Sequence, residues 1–415
     1  MSNLRYTKSA MITKLHSIKI LFFLLLLALP VLAQKRRAAT VQRPPAATSQ
    51  QFEQASAKAN QAREAGNLDE AIGLYKKAIS FSPKWSEGWW YLATLLYEKD
   101  QYPEAAKAFN NAAALNPKSG APIAMMALCE FRLGEYDNAL AHLIQGRTIG
   151  IGDNPELKKV LRFHEGMLLL LKSEFEMAQK VFDGLSYDNV NTEQLFIATG
   201  LSILRIPSLP AQIDLKHPDY QMIRRAGYAQ HLIAQLNASD GQREYDRLAA
   251  DFAKTPGIFY AYGRYQLYQL RNDETAIPAF QKEIANSPSH ALARLQIAYI
   301  KIKNKEPQDG VKLAEEGVKL NPRLLLGHYI LGRLYLETGE NPRAIQELEV
   351  AQKMAPDEAK IYFALARAYS KAGRKADADQ ARQNFTRLNA VAEAAAANGL
   401  SRATAIEENE EKPKQ

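Results

Sequence analysis

The sequence predicts an all-α solenoid of antiparallel helix pairs, and three observations predict it. Small residues recur at a fixed step: Ala71, Ala105 and Ala139 lie 34 residues apart, and Ala276, Gly310, Ala344 and Ala378 repeat the same step. Large residues and prolines keep pace with them, as in Ala71, Tyr75 and Pro83, or Ala105, Phe109 and Pro117. Hydrophobic residues make up 47% of the 415-residue chain, with modest Gly and Pro, so most of it has the means to bury a core. A fixed period of this length marks one supersecondary unit that contacts only its neighbours, which is why the usual rule of residues per domain does not apply.

Helical repeats start near Phe52. Unit one carries Ala59, Ala71, Tyr75, Ala78 and Pro83; unit two carries Trp89, Leu92, Ala93, Ala105, Phe109, Ala112 and Pro117; unit three carries Ala127, Gly134, Tyr136, Ala139, Leu143 and Gly146. Later units give Ala276, Phe280 and Pro288, then Ala298, Ala314 and Pro322. Gly332, Tyr335, Gly339, Ala344, Leu348, Ala351 and Pro356 follow, and then Ala366, Tyr369, Gly373 and Ala378. Small residues belong where two helices cross most closely, large ones fill the space between units, and the proline ends the second helix. Pro103 and Pro342 sit near the first position of a second helix, where proline is tolerated.

This pattern resembles the tetratricopeptide repeat family, over most of residues 51–398. The resemblance implies a right-handed superhelical solenoid whose first helices line a concave groove.

The middle diverges. Ala178 follows Ala139 by 39 residues, so an insertion at Gly150–Pro155 lengthens a loop, while Gly166, Ala178 and Phe182 still mark a unit. Residues 193–205 read as one helix, 206–218 with three prolines as a loop replacing a second helix, and 220–236 and 241–253 as a divergent pair. Ala139 to Ala276 is four periods plus one residue, which favours one continuous solenoid. The organisation expected is a signal peptide at 1–33, a disordered basic, proline-bearing linker at 34–50, N-terminal repeats at 51–187, a divergent segment at 188–256, C-terminal repeats with a capping helix at 257–398, and a disordered charged tail at 399–415.

The N-terminus reads as an export signal: a basic stretch to Lys19, an apolar run from Ile20, and Val31-Leu32-Ala33 as a cleavage motif, with cleavage before Gln34. An apolar stretch of 14 residues is shorter than the roughly 20 a membrane span needs. Met11 is an alternative start. The net charge of +8 is local: residues 1–33 and 34–50 each hold four basic residues and no acid, so residues 51–415 are neutral in sum. That removes the main support for nucleic-acid binding, which calls for a basic excess on the fold itself. The Lys35–Arg37 cluster and Arg43 allow contact with an anionic surface. Cys129, the single cysteine, forms no intramolecular disulfide and reads as a buried thiol in an apolar helix.

No catalytic, cofactor-binding or metal-binding constellation is evident. His142, His164, His217, His231, His290 and His328 show neither a His-Glu-x-x-His pattern nor zinc spacing, and there is no phosphate loop or nucleophile elbow. The expectation is a non-enzyme without cofactor; the rival is an enzyme with a site in 188–256 using His217, Arg224 or Arg225.

Carrying the family register over, the groove-facing positions are Trp90, Thr94 and Tyr97; Tyr260, Arg264 and Tyr268; Leu295, Tyr299 and Lys303; Tyr329, Arg333 and Glu337; and Phe363, Arg367 and Lys371. Aromatic area interleaved with cations suits an acidic or C-terminal peptide segment; the competing reading has these residues satisfying the repeat itself. Some family members clamp a C-terminal carboxylate with basic and asparagine residues. Asn60 fits one such position, but Ser56, Tyr91 and Ala124 do not. The functional expectation is an exported, periplasmic or extracellular scaffold for a protein or peptide partner. The alternative is an assembly or secretion factor held by an uncleaved N-terminal helix. Specificity is expected in the aromatic and arginine positions and in the loop that breaks the rhythm.

Overall fold

The computed structural model describes residues 46–397. The expected export signal, residues 34–45 of the expected linker and the charged tail lie outside them. Among the described residues there are 19 α-helices and no strand. Contacts divide them into two compact units, residues 46–202 with 206–220, and residues 203–205 with 221–397.

The first unit holds α1 (Ala46–Glu64), α2 (Leu68–Phe81), α3 (Ser86–Glu98), α4 (Tyr102–Leu115), α5 (Ala121–Leu133), α6 (Tyr136–Ile149), α7 (Pro155–Leu171), α8 (Phe175–Tyr187) and nearly all of α9 (Glu193–Ile203). Helix α1 begins inside the stretch expected as linker. It starts directly after Pro45, where the sequence turns to Ala, Gln and Glu, good helix formers that extend the helix from its buried end at Ala55, Ala59 and Ala62.

The second unit holds α10 (Tyr220–Ala234), α11 (Ala238–Asp251), α12 (Ile258–Arg264), α13 (Asp273–Asn286), α14 (Ala291–Lys303), α15 (Pro307–Leu320), α16 (Leu325–Thr338), α17 (Asn341–Met354), α18 (Ala359–Lys371) and α19 (Lys375–Ala397). In each unit consecutive helices form hairpins, and the core runs along the stack through the small residues and the large ones that follow them.

Within a hairpin the crossing is set by two small residues 12 apart. Ala59 and Ala71, Ala93 and Ala105, and Ala127 and Ala139 are all fully buried. Where the first member is glycine, there is no room for more: a Cβ on Gly166 would lie 2.4 Å from Phe182, and one on Gly332 would lie 2.6 Å from Leu348. Four residues after the second member sits the large residue that seals the layer, such as Tyr75, Phe109, Phe182 or Phe280, each fully buried.

The segment 220–251 keeps this spacing. Ala229 and Gly241 are 12 apart, a Cβ on Gly241 would lie 3.1 Å from the Ala229 carbonyl oxygen, and Tyr245 is buried four residues on. It is a regular hairpin whose signal the sequence already carried. Between Ile203 and Tyr220 the chain makes only a 3-10 turn, Pro210–Gln212. Pro207, Pro210 and Pro218 explain this, since each removes a backbone donor and clashes with the preceding turn.

One hairpin departs from the count. Gly263 and Ala276 are 13 apart, and the extra residue is absorbed by a π-helical turn at Tyr265–Gln269 that continues α12. Glu283, fully buried, holds the start of this helix by accepting from the Gly257 and Tyr260 amides at 2.8 and 3.2 Å.

The turns between paired helices share one device. A residue in the left-handed conformation lies five positions before the second small residue: Gly66, Asp100, Gly134, Ser173, Leu236, Arg271, Lys305, Gly339 and Gly373. Left-handed backbone costs a side-chain-bearing residue about 1–2 kcal/mol, and glycine escapes that cost. Leu236 has φ +63 and is 79% exposed, so it has little packing to lose. Leu236→Gly is therefore expected to stabilise the protein, by about 1 kcal/mol, read as a rise in the urea midpoint; an unchanged or lower midpoint would show that the turn is not strained.

Candidate functional site

The first helices of the later hairpins, α12, α14, α16 and α18, repeat three positions on one face: three before, one after and five after the small residue. The twelve residues are Tyr260, Arg264, Tyr268, Leu295, Tyr299, Lys303, Tyr329, Arg333, Glu337, Phe363, Arg367 and Lys371, with five cations against one acid.

The structure separates them by burial. Tyr260, Tyr299 and Tyr329 are 2%, 6% and 3% exposed, so their rings are part of the packing between helices and not open surface. Tyr268 is half-buried and donates its hydroxyl to Gln296 Oε1 at 2.7 Å; burial pushes its phenol well up, with the Arg264 charge opposing. The Arg264 and Arg333 guanidinium groups lie 5.8 and 5.6 Å from the Tyr268 and Tyr329 rings, within cation–π range. Leu295 is fully buried, and Lys303, Glu337, Phe363, Arg367 and Lys371 are exposed. Lys303 reaches Asp273 at 2.6 Å, Arg367 reaches Glu337 at 2.9 Å, and Lys371 donates to the Leu336 carbonyl at 3.1 Å. Phe363 is 43% exposed, its ring 5.4 Å from Phe385.

In the first unit the expected face is more enclosed. Tyr97 is buried, accepts from Arg132 Nε at 3.4 Å and packs edge-on to Tyr102. Trp90 is half-buried, edge-on to Phe109. Asn60, the one position that fits the family's carboxylate clamp, accepts the Tyr75 hydroxyl at 2.6 Å.

A second feature lies in the same unit. The loop insertion expected at Gly150–Pro155 is not there: the connection after α6 spans only residues 150–154, and the extra length goes into α7, which runs 17 residues where α5 runs 13. A cleft of about 740 Å³ is lined by that connection and by α7, with Arg147, Asp153, Lys158, Lys159, Arg162, Glu165 and Asp188 on its walls. Lys158, Lys159, Arg162 and Glu165 share α7, and the sequence did not show that Arg147 of α6 and Asp188, just after α8, meet them there.

Several histidines and the cysteine have partners within the fold. His142 bonds Glu130 at 2.8 Å, and His328 lies between Glu347 at 2.6 Å and the Pro322 carbonyl at 3.0 Å. His217 accepts from the Asp219 amide, and Arg225 pairs with Asp251 at 2.7 Å. The Cys129 thiol is buried against the Met125 carbonyl, and burial pushes its pKa up to about 12. Among the described residues no group of His, Cys, Asp or Glu is arranged to hold a metal ion. No described helix is long and apolar enough to cross a membrane.

Two segments match family models. Residues 64–146 match the model described as anaphase-promoting complex, cyclosome, subunit 3, and residues 295–359 match a tetratricopeptide repeat model. Residues 295–359 thus carry tetratricopeptide repeats. Among curated proteins, none matches the chain. Solved structures similar to this repeat protein include MamA from Desulfovibrio magneticus RS-1, 20% identical, covering 42% of this chain and 96% of that one at a TM-score of 0.36. YrrB, described as a TPR protein with an unusual peptide-binding site, is 14% identical over 40% of this chain and 86% of its own, at 0.35. The APC/C hetero-tetramer Cut9-Hcn1 is 12% identical over 84% of this chain and 90% of its own, at 0.38. At these scores the likenesses carry no inference about what the repeat protein binds.

His164 is expected to give this unit an acid sensitivity. It is buried, its Nδ1–H donates to the Val160 carbonyl at 2.8 Å, and its Nε2 has no partner. Burial pulls its pKa from 6.5 to about 4. The unfolded chain therefore binds the proton more readily. The stabilising contribution is complete above the unfolded value and is lost as pH falls toward the folded one, amounting to as much as about 3 kcal/mol. Urea titrations at pH 7 and pH 4.5 should show a steeper loss for the native protein than for His164→Leu. Equal losses would exclude this histidine as the cause.

Proposed function

We propose that this repeat protein is a protein-interaction scaffold whose second unit takes an extended, carboxylate-bearing peptide segment across the face of α12, α14, α16 and α18. One observation carries the reading: five cations against a single acid on one repeating face, in a chain whose residues 51–415 are neutral in sum. A solenoid face of this kind repeats the same side-chain positions at each step along the stack, which matches an extended chain.

The burial pattern narrows the contact set. Lys303, Arg367 and Lys371 offer exposed charge, and Phe363 offers exposed aromatic area beside them. The ion pairs Lys303–Asp273 and Arg367–Glu337 hold long side chains across neighbouring repeats. An exposed pair such as Arg367–Glu337 is worth about 0–1 kcal/mol, so a ligand carboxylate replaces Glu337 at little cost, whereas Asp273 is largely buried and keeps Lys303. The buried tyrosines shape the backbone beneath and make no direct contact in this reading. Affinity capture by the full-length protein tests it. Arg367→Glu with Lys371→Glu should reduce recovery of the captured partner at least about tenfold with helicity unchanged. Recovery equal to that of the native protein would sink the assignment of this face.

The scaffold works outside the cytoplasm in this proposal, on the support of the basic stretch, apolar run and Val31-Leu32-Ala33 motif in the sequence. Sequencing the N-terminus of the protein recovered from its native cells should give Gln34 as the first residue. A mature chain that still begins at Met1 or Met11 points instead to a retained N-terminal anchor.

A further inference from the structure

Helix α18 carries the open end of the repeating face. Phe363, Arg367 and Lys371 stand four residues apart along it, and all three are exposed. Ser370 is the only other exposed residue of the helix, so its open side holds no acid. Tyr260, Leu295 and Tyr329, which take the place of Phe363 in the earlier repeats, are all buried, whereas Phe363 is 43% exposed. Among the described residues no acid pairs with Lys371, whose ammonium donates to the Leu336 carbonyl at 3.1 Å. Arg367 pairs with Glu337 at 2.9 Å, both side chains exposed, which makes the pair readily exchanged.

The chain that follows starts beside this helix. The Phe363 ring lies 5.4 Å from that of Phe385, and Ala366 and Ala378 are the small pair, so α18 and α19 run antiparallel. Helix α19 continues past Phe385 to Ala397, about 18 Å at 1.5 Å per residue, and therefore ends on the Phe363 side of α18. Residues 398–405 reach about 26 Å when extended. That is enough to return along the overhang and cross one interhelix spacing of about 10 Å. Asn398-Gly399, at the start, is a residue pair suited to ending a helix and reversing the chain.

We infer that the segment Ile406–Glu410 of this chain occupies the α18 end of the cationic face and competes there with other carboxylate-bearing segments. In an extended chain alternate residues share one side and stand about 6.6 Å apart. Residues four apart on a helix stand about 6 Å apart along its axis. Ile406, Glu408 and Glu410 thus match Phe363, Arg367 and Lys371 in spacing and in chemistry. They match in order as well, because the chain arrives from the Phe363 end. Residues 403–411 hold four acids and no cation. The inference rests on the reading of this face as a peptide site and adds its regulation. A short tether supplies its segment at an effective concentration of the order of millimolar, which a free partner has to overcome.

The test compares the full-length protein with a variant carrying Glu407→Gln, Glu408→Gln, Glu410→Gln and Glu411→Gln. The probe is a dye-labelled peptide with the sequence of residues 403–411, read by fluorescence anisotropy. The variant should bind it with a Kd below about 1 mM, and the native protein at least about threefold more weakly. Adding Arg367→Glu with Lys371→Glu to the variant should weaken the peptide at least about tenfold. Equal binding by the native protein and the variant overturns the inference. So does no saturable binding to the variant, or binding that the charge reversal leaves unchanged. Blocking that fades on dilution of the native protein would put a second copy's segment on the face and overturn the assignment within one chain. Failure of the underlying reading looks different: recovery of the captured partner would ignore Arg367→Glu with Lys371→Glu while the peptide still responds to them.

Discussion

The whole architecture depends on one steric constraint, the crossing of two helices over a pair of residues with almost no side chain. Ala59 with Ala71, Ala93 with Ala105 and Gly332 with Ala344 let the two backbones come together, and the large residue four positions later fills the layer they create. Because interiors are close-packed, a side chain larger than alanine at these points would separate the helices, and with them the seat for Tyr75, Phe109 or Leu348. Each hairpin then presents the next with the same surface, so the stack propagates. The left-handed turn residue five positions before the second small residue sets the chain reversal that makes the crossing possible, and it recurs even where a leucine or an arginine must adopt it.

The exceptions follow from the same constraint. One extra residue between Gly263 and Ala276 would rotate every following side chain of the helix by about 100° if the helix stayed regular. The π-turn at Tyr265–Gln269 takes up that residue and keeps Phe280 over Gly263, where a Cβ would lie 2.6 Å from the ring. Five extra residues lie between Ala139 and Ala178, and a helix takes up most of them: the connection after α6, residues 150–154, is as long as that after α4, residues 116–120, whereas α7 runs 17 residues where α5 runs 13. Departures from the period are thus where this fold gains local shape that the repeat itself does not provide.

Binding chemistry sits on top of this frame. The repeating face of the second unit is rich in cations, and burial divides its members into tyrosines that belong to the packing and a smaller set of exposed groups at Lys303, Phe363, Arg367 and Lys371. The cleft of the first unit has a different arrangement, four cations each paired with an acid, drawn from helices that no single repeat contains.

Much of this was legible in the sequence. The period, the small pairs and the large residues between them gave the helix pairs and most of the core, because one side chain every 34 residues meets the same neighbours in each unit. The pair Ala229 and Gly241, with Tyr245, was readable by the same spacing in a segment taken as divergent. The chain also announced, through its proline cluster at 207–218 and the five residues by which Ala139 and Ala178 exceed one period, where the rhythm would fail, although those five lengthen a helix and not the loop expected at 150–155. Only the tertiary structure decided which groove positions remain open and which lysines and arginines converge on a cleft. Periodicity along one helix says which residues share a face. Whether Tyr329 is covered and Phe363 is not depends on what the neighbouring helices lay across that face. Those contacts are made between residues 20 to 35 positions apart, as Tyr268 to Gln296, Arg162 to Asp188 and Arg367 to Glu337 show.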